Sequence, residues 1–341
     1  MAARLPLVRI AGRFRQLPSG DYLPVGAGGT GAGSLADLKT ALSLDEVSNT
    51  ADADKPVSTA QQAAISANTQ MNPNMLINGN FRVNQRAFAG GALAPGAYGV
   101  DRWGAYNGGA NYSVSGGLVT LVSGVMCQVI EAPATSSFVG KLITVSVEAP
   151  SVALIVTVGN GTGASAATGV ITAGGGRRSV TLTVPAGVAT TADLKVRLSA
   201  ASSVTFRRVK VELGSVATAF DDTVDVIKCQ RFFQKSYLQE TAPGSGGATN
   251  YPGMVDYFAP VATTAQINVF VKFPVTMRGV PALTLYDLAG AAGFVYRGGN
   301  GQGGNVFAVG DASFNGVATA GVSATEFAFH WAASSEIACT D

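Results

Sequence analysis

The sequence predicts a mostly β protein: an N-terminal stem with short helices, an antiparallel β-sandwich of jelly-roll type, a linking helix and a β-rich C-terminal tip domain. Three observations lead there. Hydrophobic residues make up 47% of the 341 residues and charged residues only 13%, so cores can form while charged helical surfaces are scarce. Forty-three glycines accompany many Ala, Ser, Thr and Val residues, a composition of short strands and turns. Several runs alternate with period two. Ile143, Val145 and Val147 oppose Thr144, Ser146 and Glu148, the pattern of a half-buried antiparallel strand.

Composition also excludes function classes. A net charge of +2 makes no electrostatic claim on nucleic acid. No run reaches the roughly 18 apolar residues of a membrane helix, so no membrane insertion is expected. The opening MAARLPLVRIAGRF carries arginines without an apolar core, and reads as no signal peptide. Three widely spaced cysteines, Cys127, Cys229 and Cys339, argue against a disulfide framework and suit a reducing cytoplasm. His330 is the single histidine, which excludes any site needing two from one chain. Neither a cofactor nor a metal site is expected.

Residues 1–71 form the first segment. Val8, Ile10 and Phe14 alternate loosely, and PSG at 18–20 marks a turn. Gly26, Gly28 and Gly31 satisfy a dinucleotide-type glycine spacing. However, the preceding DYLPV is short and broken by Pro24, and no βαβ unit follows. These glycines read as a hinge before a short amphipathic helix bearing Leu35, Leu38 and Leu42 on one face. Further on, Asn49, Asp52 and Asp54 form turns, and Pro56 holds Lys55 extended. Ser58 with Gln61, and Thr59 with Gln62, have capping-box spacing, so Gln61–Gln70 is expected to be a helix of three turns. Alone it is marginal in water; identical copies of itself are its simplest neighbours.

Residues 72–220 carry strands at Leu118–Val122, Val125–Ile130, Leu142–Glu148, Val152–Val158, Ser179–Val184, Leu194–Ser199 and Val204–Leu213, and eight or nine strands are expected in all. Residues 221–240, DDTVDVIKCQRFFQKSYLQE, read as a helix capped by Asp221 or Asp222, with Val226, Cys229, Phe233 and Tyr237 as its buried stripe. Residues 241–341 carry strands at Ala265–Phe273, Ala282–Tyr286, Phe294–Tyr296, Val306–Val309 and Thr325–Trp331. PGSGGATNYPG reads as a flexible polar loop, and RGGNGQGGN as a glycine-rich loop between Phe294–Tyr296 and Val306–Val309.

Several of these stretches resemble one family. DADKPVSTAQQAA within Val47–Gln70 closely resembles the stem of tail-fibre proteins from tailed bacteriophages and their prophage relatives. QLPSGDYLPVGAGGTG resembles the run that precedes that stem. LINGNF with DRW, and the closing VKVELGSVATAFDD, resemble a jelly-roll module of such fibres, similar to carbohydrate-binding modules. CQRFFQKSY resembles the helix joining it to the tip, and VKFPVTMRGVP with EFAFHW resembles the receptor-binding tip. The resemblance implies a homotrimer on the virion tail. Residues 1–71 would attach to a tail or baseplate protein, and the host's surface polysaccharide would be the partner. Such a chain would be synthesised in the bacterial host cytoplasm.

Binding candidates follow from the chemistry of sugars, which meet an aromatic face and planar hydrogen-bonding groups. Tip loops supply Asn250, Tyr251, Tyr296, Arg297, Asn300, Gln302 and Asn305; Arg297 could meet an acidic sugar or phosphate. The jelly roll supplies Trp103 and Tyr106, with Trp103 read first as a framework residue beside Asp101 and Arg102. Trp331 shares a face with Phe327 and Phe329 and reads as core or trimer interface. His330 reads as a satisfied histidine. No local motif gathers paired carboxylates and no β-helix period is present, so no catalytic residue is expected. Adhesion is the expected function. A collar, whisker or decoration protein is the structural alternative, and a capsule depolymerase is the enzymatic one.

Overall fold

The computed structural model describes residues 7–10, 12–16, 35–42, 58–59, 61, 73–132, 138–189, 192–247, 253–318 and 323–341. The chain divides into two compact units, Met1–Asn68 and Thr69–Asp341. In the first, β1 (Leu7–Ile10) and β2 (Arg13–Gln16) form an antiparallel hairpin, and α1 spans Leu35–Ala41. Ser58 and Gln61 make the reciprocal capping pair: the Gln61 amide donates to Ser58 Oγ at 3.1 Å, and the Ser58 amide to Gln61 Oε1 at 3.2 Å. The helix expected beyond Gln61 lies outside the described residues.

The second unit is mostly β. Its first sheet system holds nine strands: β3 (Gly91–Leu93), β4 (Gly104–Ser115), β5 (Leu118–Ile130), β6 (Leu142–Glu148), β7 (Leu154–Gly159), β8 (Ala166–Ile171), β9 (Arg177–Thr183), β10 (Leu194–Ser199) and β11 (Val204–Leu213). All pairings are antiparallel, in the order β8-β7-β10-β5-β11-β6-β9, with β4 on β5 and β3 on β4. The long strands curl the sheet by changing partners. β11 pairs with β5 through Val204–Phe206 and with β6 from Arg207 to Leu213, with a register shift between Arg207 and Lys210. Ile143, Val145, Val147, Val156, Val196, Leu198 and Val211 fill the core. The two runs expected at 118–122 and 125–130 are one strand. Gly124, at φ +79°, lies within it where the β4–β5 register shifts.

β6 is buried on both faces, unlike the half-buried strand its alternation predicts. The segment after β11 covers its outer side. Thr218 of that segment donates its amide and hydroxyl, at 2.9 and 2.6 Å, to fully buried Glu212 of β11, which pairs with Lys210 at 3.3 Å. Thr144 bonds Thr181 at 2.8 Å and Gly214 O at 2.7 Å.

The expected helix over 221–240 is corrected. Only α2 (Val226–Gln230) is helical; Phe233–Lys235 is β12, paired with Ser334, Ala333 and Ala332. Tertiary pairing overrides the helical pattern here. β12 belongs to the second sheet, with β13 (Val255–Thr263), β14 (Ile267–Lys272), β15 (Ala282–Tyr286), β16 (Phe294–Arg297), β17 (Asn300–Phe307), β18 (Ser313–Ala318) and β19 (Ala324–Ser334). β19 is the hub and pairs with β12, β13, β15 and β16. Its Phe327, Phe329 and Trp331 pack with Ile267, Phe273 and Phe314 in the core.

RGGNGQGGN is a hairpin, which corrects the loop expectation. Gly298 and Gly299, at φ +55° and +85°, make the two-residue turn between Arg297 and Asn300. Two successive positive φ angles are what a tight hairpin with matching twist requires.

A buried charged cluster joins the two sheet systems. The Arg102 guanidinium lies 3.5 Å from the Phe232 ring centroid, donates to Val129 O at 2.7 Å and pairs with Glu336. Arg86 reaches Glu336 at 3.2 Å and stacks on Phe233 at 3.9 Å. Asp101 accepts from the Gln85 amide and side chain, and Gln85 Nε2 also donates to Phe233 O at 3.0 Å.

Removing one partner of a buried pair leaves an uncompensated charge. Glu336→Ala is therefore expected to cost about 3–5 kcal/mol in urea denaturation. Glu131→Ala, which breaks the more exposed bridges to Arg231 and Arg278, is expected to cost under about 1 kcal/mol. Equal losses would contradict this assignment.

Candidate functional site

A candidate binding site is a cleft of about 500 Å³ beside the second sheet, lined by Gly247, Asp287, Leu288, Ala289, Tyr296, Gly299 and Gly301. β15 delivers Asp287 to its end. There Oδ1 accepts from the Ala289 and Ala291 amides at 2.9 and 2.8 Å and fixes the turn. The Gly247 amide donates to Leu288 O at 3.1 Å and closes one wall. The β16–β17 hairpin forms the other, with Tyr296 directly opposite Gly301. A Cβ on Gly301 would lie 2.6 Å from Asp287 Oδ2. The bare glycine therefore leaves room for that carboxylate oxygen at the cleft.

This arrangement combines a half-buried aromatic ring, an anchored carboxylate and glycine backbone. It can pack an apolar ring face and accept hydrogen bonds from hydroxyls or an amine. Among the described lining residues there is no cation. Arg297, expected to meet an acidic sugar, is fully buried and donates to Ala265 O at 3.0 Å. Strand alternation turns it inward while Tyr296 faces outward, which corrects its assignment to a loop surface.

The other sequence candidates scatter. Asn305 is exposed on β17, on the same face as Gly301, whereas Gln302 faces the Val295 side and is half-buried. Asn300 closes the hairpin opposite Arg297. Asn250 and Tyr251 lie outside the described residues. Trp103 is fully buried, stacks on Phe81 at 4.8 Å and donates Nε1–H to Asn78 O at 3.0 Å, so it is framework and not a glycan platform. His330 is buried, stacks on Tyr237 at 4.0 Å and bonds Ser236 Oγ through Nδ1 at 3.0 Å.

Tyr106 faces away from Trp103, beneath the C-terminal tail. Its hydroxyl donates to Asp341, and the Arg197 guanidinium lies 4.6 Å from its ring centroid. Lys195 Nζ donates to Asp341 Oδ1 at 2.8 Å and to Thr340 O at 2.7 Å. Tyr106 is thus covered by the chain itself. Asp287, Leu288 and Ala289 were missed in the sequence; a single Asp ending a strand before a glycine turn, YDLAGAAG, was the available signal.

No protein-family model matches the sequence, and no curated protein matches it. Solved structures give partial likenesses. One is the enzymatically active domain of bacteriophage CBA120 tailspike protein 4, at 10% identity and TM-score 0.26, over 41% of this chain and 21% of that one. Another, described as "CBM4 structure and function", has 19% identity and TM-score 0.25, over 40% of this chain and 98% of that one. A mutant of a carbohydrate binding module family 29 has 15% identity and TM-score 0.24, over 40% and 97%. The tailspike match spans about a fifth of that chain. Likeness at these TM-scores decides neither fold nor function.

The tail contact has a pH signature. Hydrogen bonds from Lys195 and Tyr106 hold the Asp341 carboxyl below its ordinary value of 3.8. A depressed carboxyl contributes stability above its unfolded value and loses it as pH falls through the folded one. Acidification below about pH 3.8 is therefore expected to speed hydrogen exchange in the tail of the wild-type chain, and Asp341→Asn to flatten that dependence. Identical profiles would show that Asp341 does not hold the tail.

Proposed function

We propose that the chain is a tail fibre or receptor-binding protein of a tailed bacteriophage or phage-derived particle, adhering to a bacterial surface glycan such as lipopolysaccharide or capsule. The observation that carries the reading is the tip cleft, where Tyr296 and the Asp287 carboxylate flank side-chain-free Gly301. Its volume falls in the range of about 300–1,000 Å³ typical of small-molecule sites. Its chemistry suits neutral or amino sugars, since the described lining residues offer acceptors and an aromatic face but no cation. The stem resemblance of DADKPVSTAQQAA supplies the viral context. In this reading the protein works as a homotrimer on the virion tail, held to a tail or baseplate protein through residues 1–71, and many weak sugar sites act together by avidity. It binds without cleaving: glycoside hydrolysis pairs two carboxylates, and Asp287 is the one among the described lining residues.

A structural role in a collar, whisker or decoration is the second reading. Exposed Phe258, Val261 and Phe270 on the tip sheet favour it, since apolar exposure of this kind suits an assembly surface.

Glycan arrays followed by calorimetric titration separate the two readings. The wild-type chain is expected to bind a neutral or amino-sugar glycan, and Tyr296→Ala to weaken it tenfold or more, about 1.4 kcal/mol, with its melting point nearly unchanged; Gly301→Ala, which pushes on Asp287 Oδ2, is expected to weaken binding and lower the melting point together. Absence of binding to any host glycan, or variants that bind like wild type, would favour the structural role. Sedimentation of the full chain is expected to give a trimer; a monomer would remove the fibre architecture.

A further inference from the structure

Two cysteines 212 residues apart in sequence meet beneath the C-terminal tail. Cys127 lies on β5, directly opposite Gly104 of β4 and Arg197 of β10. Cys339 lies in the tail that returns from β19 to the first sheet system. Each thiol contacts the other residue's carbonyl, Cys339 Sγ to Cys127 O at 3.4 Å and Cys127 Sγ to Cys339 O at 3.9 Å. The reciprocal contacts set the side chains beside one another. Gly104 makes the room, because a Cβ there would lie 3.3 Å from Cys339 Sγ. The tail is fastened on both sides of Cys339, by Tyr98 donating to Ile337 O and by Lys195 donating to Thr340 O. Both cysteines are free and fully buried in one apolar cluster with Val129 and Tyr106. Cys229 is buried elsewhere, on α2.

We propose that Cys127 and Cys339 are a latent cross-link site, closed to a disulfide by exchange with a small-molecule disulfide such as oxidised glutathione, which locks the tail onto the first sheet system. The thiols differ in a way that orders the steps. Cys339 sits on the tail and reaches solvent when the tail lifts, whereas Cys127 stays within β5. Cys339 as thiolate attacks the glutathione disulfide when the tail lifts; its S–S bond breaks, a mixed disulfide forms and one glutathione thiolate leaves. As the tail reseats, Cys127 attacks Cys339 Sγ, and its proton goes to the second departing glutathione. Two electrons pass from the thiol pair to one glutathione disulfide, which is reduced to two glutathione thiols.

The test is incubation of the folded full-length chain with oxidised glutathione, followed by intact mass and peptide mapping. The expected result is loss of two hydrogens, no retained glutathione, and a peptide holding Cys127 linked to one holding Cys339, with Cys229 free. Cys127→Ser is expected to retain one glutathione on Cys339, because no partner resolves it. The oxidised wild type is expected to melt several degrees higher than the reduced form, and to return on treatment with dithiothreitol. A link to Cys229, glutathione persisting on Cys339 in the wild type, or thiols still free when the denatured chain has fully oxidised would each overturn the proposal.

Discussion

The second unit depends on one buried cation. Arg102 stands at the seam between two sheet systems with its plane on Phe232, its fork on Glu336 and a strand carbonyl. A guanidinium suits this place because it is planar and weakly hydrated, so it can stack and pair at once. The surrounding groups are aligned to it. Asp101 is held by Gln85, Gln85 reaches the backbone of β12, and Arg86 covers Phe233. Most of these contacts join a residue between 85 and 129 to one beyond 231, so the cluster specifies how the later sheet docks on the earlier one. Taking these charges out of water is costly, and their mutual pairing and hydrogen bonds offset that cost.

The strands that read well from sequence are those whose alternation survives in the packing. β10 and β11 run over the stretches their apolar spacing indicates, Leu194–Ser199 and Val204–Leu213. β4 was illegible, since GAYNGGANYSVS carries glycines and asparagines and pairs along much of β5 by shifting register. β12 was misread because a helical stripe through Cys229 and Phe233 is also what a short helix followed by a strand can show. Periodicity over so few residues does not separate the two, and pairing with β19 decides it.

The site was legible in part for a related reason. Tyr296 stood out as an aromatic beside glycines, and it does line the cleft. Its neighbour Arg297 looked equally available, yet alternation along β16 sends one outward and the other into the core. The glycines that suggest a loose loop instead shape a wall, because Gly301, without a side chain, lets the Asp287 carboxylate from the adjoining turn approach closely. Asp287 could not be singled out among 21 acidic residues, for its importance comes from the turn that holds it.

β19 follows every strand it pairs with in sequence. On a ribosome, β12, β13, β15 and β16 all emerge before the strand that completes them. The first sheet system can gather itself during synthesis, since its nine strands pair among themselves. The second sheet must wait, carrying open strand edges until β19 appears, and Arg102 waits with it for Glu336. Such a chain is most exposed to mispairing just before β19 emerges. Its vulnerability in the cell is thus one of timing, concentrated in the interval before residues 324–336 are made.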